Sequence, residues 1–74
     1  MTRIETNSRI NGEFTGCSGE SIYELINGQI WKQARFKYKY VYKYCPNAKI
    51  LNVNGRHYLQ VEGMNELIEV RRLL

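Results

Sequence analysis

The sequence has no aspartate, one histidine, one proline and two cysteines among its 74 residues. A Ser-His-Asp triad needs an aspartate and a histidine-rich metal site needs several imidazoles, so one subunit can assemble neither. The glycines are dispersed and none precedes a helical pattern, which argues against a phosphate-binding loop. We therefore predict a protein that is not an enzyme and that uses no cofactor and no metal.

Three residues, Cys17, Cys45 and His57, could in principle supply zinc ligands. Their spacings match no structural zinc pattern, and the expected strands separate them. A Cys17–Cys45 disulfide is the other possibility for the thiols. The sequence "MTRIETNSR" has no apolar export segment, so we predict free thiols and a cytoplasmic protein. No apolar run approaches the roughly 18 residues of a membrane helix, so we expect no membrane role.

A chain of 74 residues is near the size at which a domain buries only about 60% of its unfolded surface and gains from oligomerisation. The net charge is +4, and it is unevenly distributed. No acidic residue occurs between Glu24 and Glu62, an interval that holds seven lysines and arginines. A basic segment interleaved with aromatic residues is typical of a nucleic-acid surface, and it is also typical of solvated lysines opposite a tyrosine face.

The most distinctive stretch is "FKYKYVYKY", residues 36–44, in which aromatic residues alternate with lysine and valine. A strand sends successive side chains to opposite faces, so this pattern separates an aromatic face from a charged face. The aromatic face holds Phe36, Tyr38, Tyr40, Tyr42 and Tyr44. A small barrel has room inside for few large rings, so we expect the middle rings in the core and those at the ends exposed. A β-bulge near Val41 would mix the two faces.

Two Asn-Gly pairs lie between alternating runs on either side of the aromatic strand. Asn27-Gly28 separates "SIYELI" from "QIWKQ", and Asn54-Gly55 separates "NAKILNV" from "RHYLQVE", which predicts two hairpins with type I′ turns. After Gly63, residues 64–66 are long enough for a single 3₁₀ turn before the alternation of "LIEVRRL". These elements predict an all-β fold, a small SH3-like barrel of five to six short antiparallel strands. We expect residues 1–7 to form a frayed arm and residues 8–74 a single domain.

Residues 10–73 resemble a group of small, uncharacterised bacterial proteins, some of them encoded on integron gene cassettes. The resemblance lies in "INGEFTGCSGESIYELINGQIWKQARFKYKYVYKYCPNAKI" and "VEGMNELIEVRRL", and it is most specific at "LINGQIWKQ", at the tyrosine alternation before Pro46, and at the last segment. That group has an aromatic residue in the first glycine-bounded loop, where this chain has Cys17. The resemblance implies an SH3-like barrel and no established activity.

Two functions agree with these observations. The first is a binding or assembly module that forms a homodimer, or binds a protein partner, through exposed aromatic residues, because tyrosine and tryptophan provide rigid contact area. The residues expected at that surface are Trp31, Tyr38, Tyr40, Tyr42 and Tyr44. The alternative is a nucleic-acid module in which rings stack on bases and cations meet phosphates. The cations expected there are Lys32, Arg35, Lys37, Lys39 and Lys43. A third possibility is a small-ligand pocket lined by tyrosines at the barrel mouth.

Overall fold

A computed structural model describes residues 2–74. Its described residues form eight β-strands and no helix, which confirms the all-β prediction but exceeds the five to six strands expected. The strands are β1 (Thr2–Arg9), β2 (Glu13–Cys17), β3 (Ile22–Glu24), β4 (Ile30–Gln33), β5 (Lys39–Tyr44), β6 (Asn47–Val53), β7 (Arg56–Val61) and β8 (Ile68–Arg72).

The strands form two antiparallel sheets. Six strands are ordered β1-β6-β7-β8-β4-β3, and β2 and β5 form a separate two-stranded sheet. The outermost strands of the larger sheet meet just beyond their ends, where Ile10 and Leu25 form a β-bridge. The Ile26 N–H donates to the Arg9 carbonyl at 3.0 Å beside this bridge. The larger sheet is therefore curved enough for its first and last strands to touch.

The N-terminal segment is a strand, not the frayed arm expected for residues 1–7. Thr2–Arg9 pairs along β6, from Thr2 opposite Val53 to Arg9 opposite Asn47. Most of the β1 side chains are exposed, so the strand shows no apolar alternation that would reveal it in the sequence. Its order comes from the hydrogen-bonded ladder with β6, which lies far away along the chain. Met1 lies outside the described residues.

The two Asn-Gly hairpins use different turns. Asn54 and Gly55 have φ angles of 54° and 89°, as the predicted type I′ turn requires, and they connect the paired residues Val53 and Arg56. In the first hairpin only Gly28 has a positive φ, and its N–H donates to the Leu25 carbonyl at 3.0 Å. The type I′ prediction is therefore wrong for the first hairpin. Its loop has three residues, 26–28, instead of two, and Gly28 is the fourth residue of the turn that begins at Leu25.

The segment between β7 and β8 also differs from the prediction. No 3₁₀ turn occurs at residues 64–66 in the described chain. Instead the Met64 N–H donates to the Val61 carbonyl at 3.0 Å, and Gly63 has a φ of 84°. A β-turn with glycine at its third position therefore ends β7, because glycine adopts this left-handed conformation without steric cost.

The core lies between the two sheets and is filled by large side chains from both. The cluster contains Ile10, Phe14, Cys17, Tyr23, Leu25, Trp31, Ala48, Ile50, Leu59, Val61, Met64, Ile68 and Val70. The rings of Phe14 and Tyr23 are 5.9 Å apart. The Tyr23 hydroxyl donates to the Gly16 carbonyl at 2.8 Å, and burial raises the pKa of Tyr23 to about 12. With these rings inside, no space remains for the aromatic residues of β5.

Candidate partner-binding surface

The aromatic residues of segment 36–44 all lie on the outside of the molecule. We call this set the tyrosine stripe, and its members have between 53% and 77% of their surface exposed. They are Phe36, Tyr38, Tyr40, Tyr42 and Tyr44. The prediction that the middle rings enter the core is wrong. The structure instead exposes all five rings, which is the largest departure of this surface from an ordinary polar one.

The inner face of β5 is the one that carries valine and lysine. Val41 packs against the core cluster, and Lys43 lies opposite the buried Phe14 on β2. The ladder between β2 and β5 is irregular between Phe14 and Gly16, where β5 has one more residue than β2. Exposure still alternates from Tyr40 to Tyr44 through this irregularity, whereas Lys39 and Tyr40 are both exposed. The irregularity that the sequence allowed near Val41 therefore does not mix the two faces.

Glycine at position 16 allows β2 and β5 to approach each other. A Cβ on Gly16 would lie 1.9 Å from the Lys39 carbonyl oxygen, and the residue has a φ of 94°. Any other residue would clash with β5 and would also be strained in this left-handed conformation. Gly16 therefore sets the position of the strand that carries the tyrosines.

The first two rings of the tyrosine stripe precede β5 and lie in a loop, not in the strand that the sequence predicts from residue 36. Gln33 holds this loop: its Nε2 donates to the carbonyls of Arg35 at 2.9 Å and Lys37 at 3.0 Å. Gln33 is the one buried polar residue among those described, 3% exposed. The sequence analysis missed it, although a glutamine inside the short run "IWKQ" was the available signal.

Tyr42, the middle of the three tyrosines of β5, is linked to β2. The Tyr42 hydroxyl donates a hydrogen bond to Oε2 of Glu13 at 3.1 Å. This bond to a carboxylate raises the pKa of Tyr42 above its ordinary value, so the phenol stays protonated. Glu13 and Thr15 are the exposed residues of β2 beside the tyrosine stripe. The surface around the rings is therefore polar and carries a negative group, Glu13, and a positive one, Lys39, which lines the same groove as Tyr38 and Tyr40.

Several of the predicted nucleic-acid cations are paired with glutamates. Lys37 and Lys39 lie 3.5 Å and 3.2 Å from the carboxylate of Glu66, and Lys32 lies 3.4 Å from that of Glu20. The hydrogen bond from Lys39 is the main cause that lowers the pKa of Glu66. Because these pairs are solvated, each is worth little to stability, but each reduces the positive potential that would attract a phosphate.

The remaining two cations lie apart from this pairing. Arg35 is exposed in the loop before β5. The Lys43 side chain points to the inner side of β5, toward Gly63. A Cβ added to Gly63 would lie 2.6 Å from the Nζ of Lys43. The five cations therefore do not converge on the face that carries the rings.

Trp31 belongs to the core and not to the candidate surface. It is 1% exposed, and its indole N–H donates to Oε1 of Gln29 at 3.1 Å. The ring of His57 lies against it, with centroids 5.2 Å apart. The prediction that Trp31 contacts a partner is wrong, because the inner face of β4 is covered by the rest of the molecule.

The three possible zinc ligands are not brought together. Within residues 2–74, no group of three histidine, cysteine, aspartate or glutamate side chains is arranged to hold a metal ion. Cys17 and Cys45 are free thiols, and burial raises the pKa of the Cys17 thiol. A protonated, buried thiol is a poor nucleophile and a poor metal ligand.

A surface groove lies beside the tyrosine stripe. Its volume is about 360 Å³, and Tyr38, Tyr40 and Lys39 form one wall. Residues 15–18 and Ser21 form the rest. This is the nearest feature to the tyrosine-lined pocket that the sequence allowed, and a small-ligand role for it stays a prediction.

Comparisons with protein-family models, with curated proteins and with solved structures find no match to this chain. The resemblance to integron-cassette proteins therefore stays a prediction. The described residues include no helix long and apolar enough to cross a membrane.

Proposed function

We propose that this protein is a non-catalytic binding module that self-associates, or holds a protein partner, through the tyrosine stripe. The observation that carries the proposal is the exposure of five aromatic rings within residues 36–44 of a small molecule whose core is built from other side chains. Monomeric proteins seldom expose a contiguous apolar surface of this size without using it. Tyrosine also concentrates binding energy, since it provides rigid area and a hydroxyl in one side chain.

The area of the tyrosine stripe supports a homodimer. Aromatic side chains bury about 150–250 Å² each, so rings exposed to the fractions given above offer roughly 500–850 Å² together. A stable interface of standard size buries about 800 Å² on each partner. The stripe is therefore large enough to contribute to the interface of a two-fold dimer, in which the same surface of each copy lies at the contact.

The charge distribution favours a protein over a nucleic acid as the partner. A ring that stacks on a base and a cation that binds its phosphate must face the same side. Here Lys43 lies on the face of β5 opposite the tyrosines, Lys39 is paired with Glu66, and Glu13 lies beside Tyr42. Nucleic-acid binding through Lys32, Arg35, Lys37, Lys39 and Lys43 is therefore the second choice.

We also propose that the fold is an SH3-like barrel closed where β1 and β3 meet. Support comes from the bridge between Ile10 and Leu25 and from the Asn11 N–H, which donates to the Glu24 carbonyl at 2.8 Å. These bonds join the two outer strands of the six-stranded sheet.

The free thiols support our further proposal that the protein works in the reducing cytoplasm.

Light scattering after size exclusion tests the proposed function. We expect the native chain to change from monomer to dimer as its concentration rises into the micromolar range, and a Tyr42→Ser, Tyr44→Ser variant to remain monomeric. Ile26→Ser is the matched control, because it removes a similarly exposed apolar side chain outside the tyrosine stripe. A native chain that is monomeric at hundreds of micromolar, with no protein partner, contradicts the proposal.

A titration with a single-stranded oligonucleotide at two salt concentrations tests the second choice. Binding through phosphates would weaken steeply with salt, by about 0.7 in the log-log slope for each contact. Replacing Lys37, Lys39 and Lys43 together would flatten that slope. We expect no salt-dependent binding. If such binding is found, nucleic-acid binding becomes the favoured function and the protein-binding module the alternative.

A further inference from the structure

One edge of β5 has no backbone partner. The strand pairs with β2 on one side, and no backbone group among residues 2–74 bonds to its other side. The Cys45 N–H donates to the Gly12 carbonyl, and the Lys39 carbonyl faces Gly16, so both of these residues direct their polar groups toward β2. Alternate residues of a strand direct these groups to opposite edges. The residues that face the open edge are therefore Tyr40, Tyr42 and Tyr44.

We propose that a second copy of this chain pairs with β5 along this open edge, antiparallel, with Tyr42 on the two-fold axis. The two small sheets then become one four-stranded sheet in the order β2-β5-β5-β2. This inference rests on the proposed function and adds its geometry: the copies meet edge to edge, and the two tyrosine stripes lie side by side on one face. Tyr42 exchanges backbone hydrogen bonds with its own copy, and Tyr40 exchanges them with Tyr44 of the second copy.

The alternation of β5 selects which residues can lie opposite each other. Paired residues of neighbouring strands point to the same face, and a slip of one residue turns every side chain to the other face. A register that places tyrosine opposite lysine would therefore put the inner face of one copy on the outside of the joined sheet. Val41 would then leave the core it packs against. Only registers that place tyrosine opposite tyrosine keep both copies folded as they are.

Charge then selects the axis among those registers. With Tyr42 on the axis, Lys43 lies opposite Val41 of the second copy, and Lys39 lies opposite Cys45. An axis at Val41 would place Lys39 directly opposite Lys43, and an axis at Lys43 would place that lysine opposite itself. Like charges in directly opposed positions destabilise a sheet. The sequence of β5 is therefore self-complementary about Tyr42.

Axes nearer the ends of the strand give a shorter ladder. β5 begins at Lys39, so an axis at Tyr40 would leave most of the strand without a partner. An axis at Tyr44 would bring Pro46 opposite Tyr42, and proline has no N–H to donate. Tyr42 is the position from which the pairing extends furthest in both directions.

The features that usually protect an open edge are turned away from this one. Charged side chains, especially lysine, block edge-to-edge pairing when they border the edge. Here the charge of Lys39 is paired with Glu66, and Lys43 extends toward Gly63 on the inner side of β5. The outer strand β1 is different, because exposed charged side chains lie along it at Arg3, Glu5 and Arg9. β5 is therefore the edge best suited to pairing.

Hydrogen-deuterium exchange of the native chain at two concentrations tests this geometry. At a concentration where light scattering shows the dimer, we expect the backbone amides of Tyr40, Tyr42 and Tyr44 to exchange at least tenfold more slowly than in the monomer. Amides of β7, which are already paired, should not change. A dimer whose β5 amides exchange as fast as in the monomer would overturn edge pairing while leaving the proposed function intact. A chain that never dimerises would overturn both.

Two substitutions at the axis give a second, independent measurement. Tyr42→Ser removes the ring and keeps the N–H, whereas Tyr42→Pro removes both; proline is tolerated where the N–H faces an open edge. We expect the proline variant to dimerise at least tenfold more weakly than the serine variant. Equal dimerisation of the two would contradict pairing through this edge. If the proline variant does not fold, the exchange measurement on the native chain decides alone.

Discussion

The Oε2 of Glu5 on β1 lies 3.0 Å from the Nε2 of His57 on β7, although β6 lies between the two strands. The contact is possible because the ladder of β1 and β6 is irregular between Ile4 and Thr6, which leaves Glu5 without an opposed residue. Bulges of this kind redirect a side chain. The redirected carboxylate also accepts a hydrogen bond from Asn52 at 3.1 Å. It ties the exposed N-terminal strand to the body of the molecule.

This contact predicts an acid dependence of stability. The hydrogen bond from Asn52, followed by the influence of His57, lowers the pKa of Glu5 below its ordinary value of 4.5. A carboxyl whose pKa is lowered on folding contributes stability that is complete above the unfolded pKa, and that is lost as pH falls through the folded pKa. We expect Glu5→Gln to reduce the free energy of unfolding by about 0.2–1 kcal/mol at pH 7.

Urea unfolding at pH 7 and at pH 3 measures this effect. The native chain and Glu5→Gln should differ at pH 7, and the difference should shrink as the pH falls and the native carboxyl takes up a proton. Glu24→Gln, on the exposed side of β3, is the control for a change of net charge. A difference between native and Glu5→Gln that is as large at pH 3 as at pH 7 would show that packing, not the charge, is responsible.

Truncation of Trp31 should reduce the free energy of unfolding strongly and truncation of Tyr38 hardly at all, although the sequence assigns both residues to the same surface. Trp31→Ala opens a large cavity in the core, which costs about 3–5 kcal/mol. Tyr38→Ala removes an exposed ring and should change the free energy of unfolding by less than about 0.5 kcal/mol in the monomer. Chemical denaturation at low concentration compares the two, and similar losses from both would contradict the burial of Trp31.

Gly16 and Gly12 form a matched pair for the close approach of β2 and β5. Both have a positive φ, but an added Cβ meets the Lys39 carbonyl at position 16 and nothing within 4 Å at position 12. Gly12→Ala should cost about 1–2 kcal/mol from the left-handed backbone alone. Gly16→Ala should cost about 1–3 kcal/mol more because atoms must shift. Equal midpoints in urea for the two variants would mean that β5 moves aside without cost.

The buried amide of Gln33 should control the order of the first two rings of the tyrosine stripe. Gln33→Met keeps the volume but removes both donors to the loop carbonyls, and we expect a loss of about 1–3 kcal/mol. Exchange of the amides of residues 35–38 should become faster, while that of β6 should change only with global stability. Unchanged exchange in the loop would show that Lys37, which donates to the Leu67 carbonyl at 2.9 Å, holds it instead.

The sequence predicted some features because they depend on local chemistry. Asn54-Gly55 forms the expected turn, since both residues tolerate positive φ and the flanking strands fit a two-residue loop. Alternation correctly separated the tyrosines of β5 from its lysines. Alternation does not reveal which face turns inward when one face has amphipathic rings and the other has lysines with long apolar stems. The interior is filled by Phe14, Tyr23 and Trp31 from other strands, and the tyrosine face of β5 therefore lies on the outside.

Other features depend on distant parts of the chain and leave little local signal. β1 is polar along its length and becomes a strand only because β6 offers it a ladder. The role of Gln33 depends on where the loop of residues 34–38 passes, so the glutamine in "IWKQ" could mark a buried polar residue but not the carbonyls that it binds. The structure exposes the tyrosines of the predicted surface and buries Trp31, so it removes Trp31 from that surface and leaves the role of the tyrosines a prediction.

The pairing of β1 with β6 also determines the order of folding events. Thr2 is opposite Val53, so the earliest strand made has no ladder until most of the chain has been synthesised. Contacts between such distant segments close large loops, which slows folding. The hairpins at Gly28 and Gly55 can form at once, whereas β1 must remain unpaired until β6 is in place. During that interval β6 has an exposed edge, and a newly made chain is then most vulnerable to pairing with the wrong neighbour.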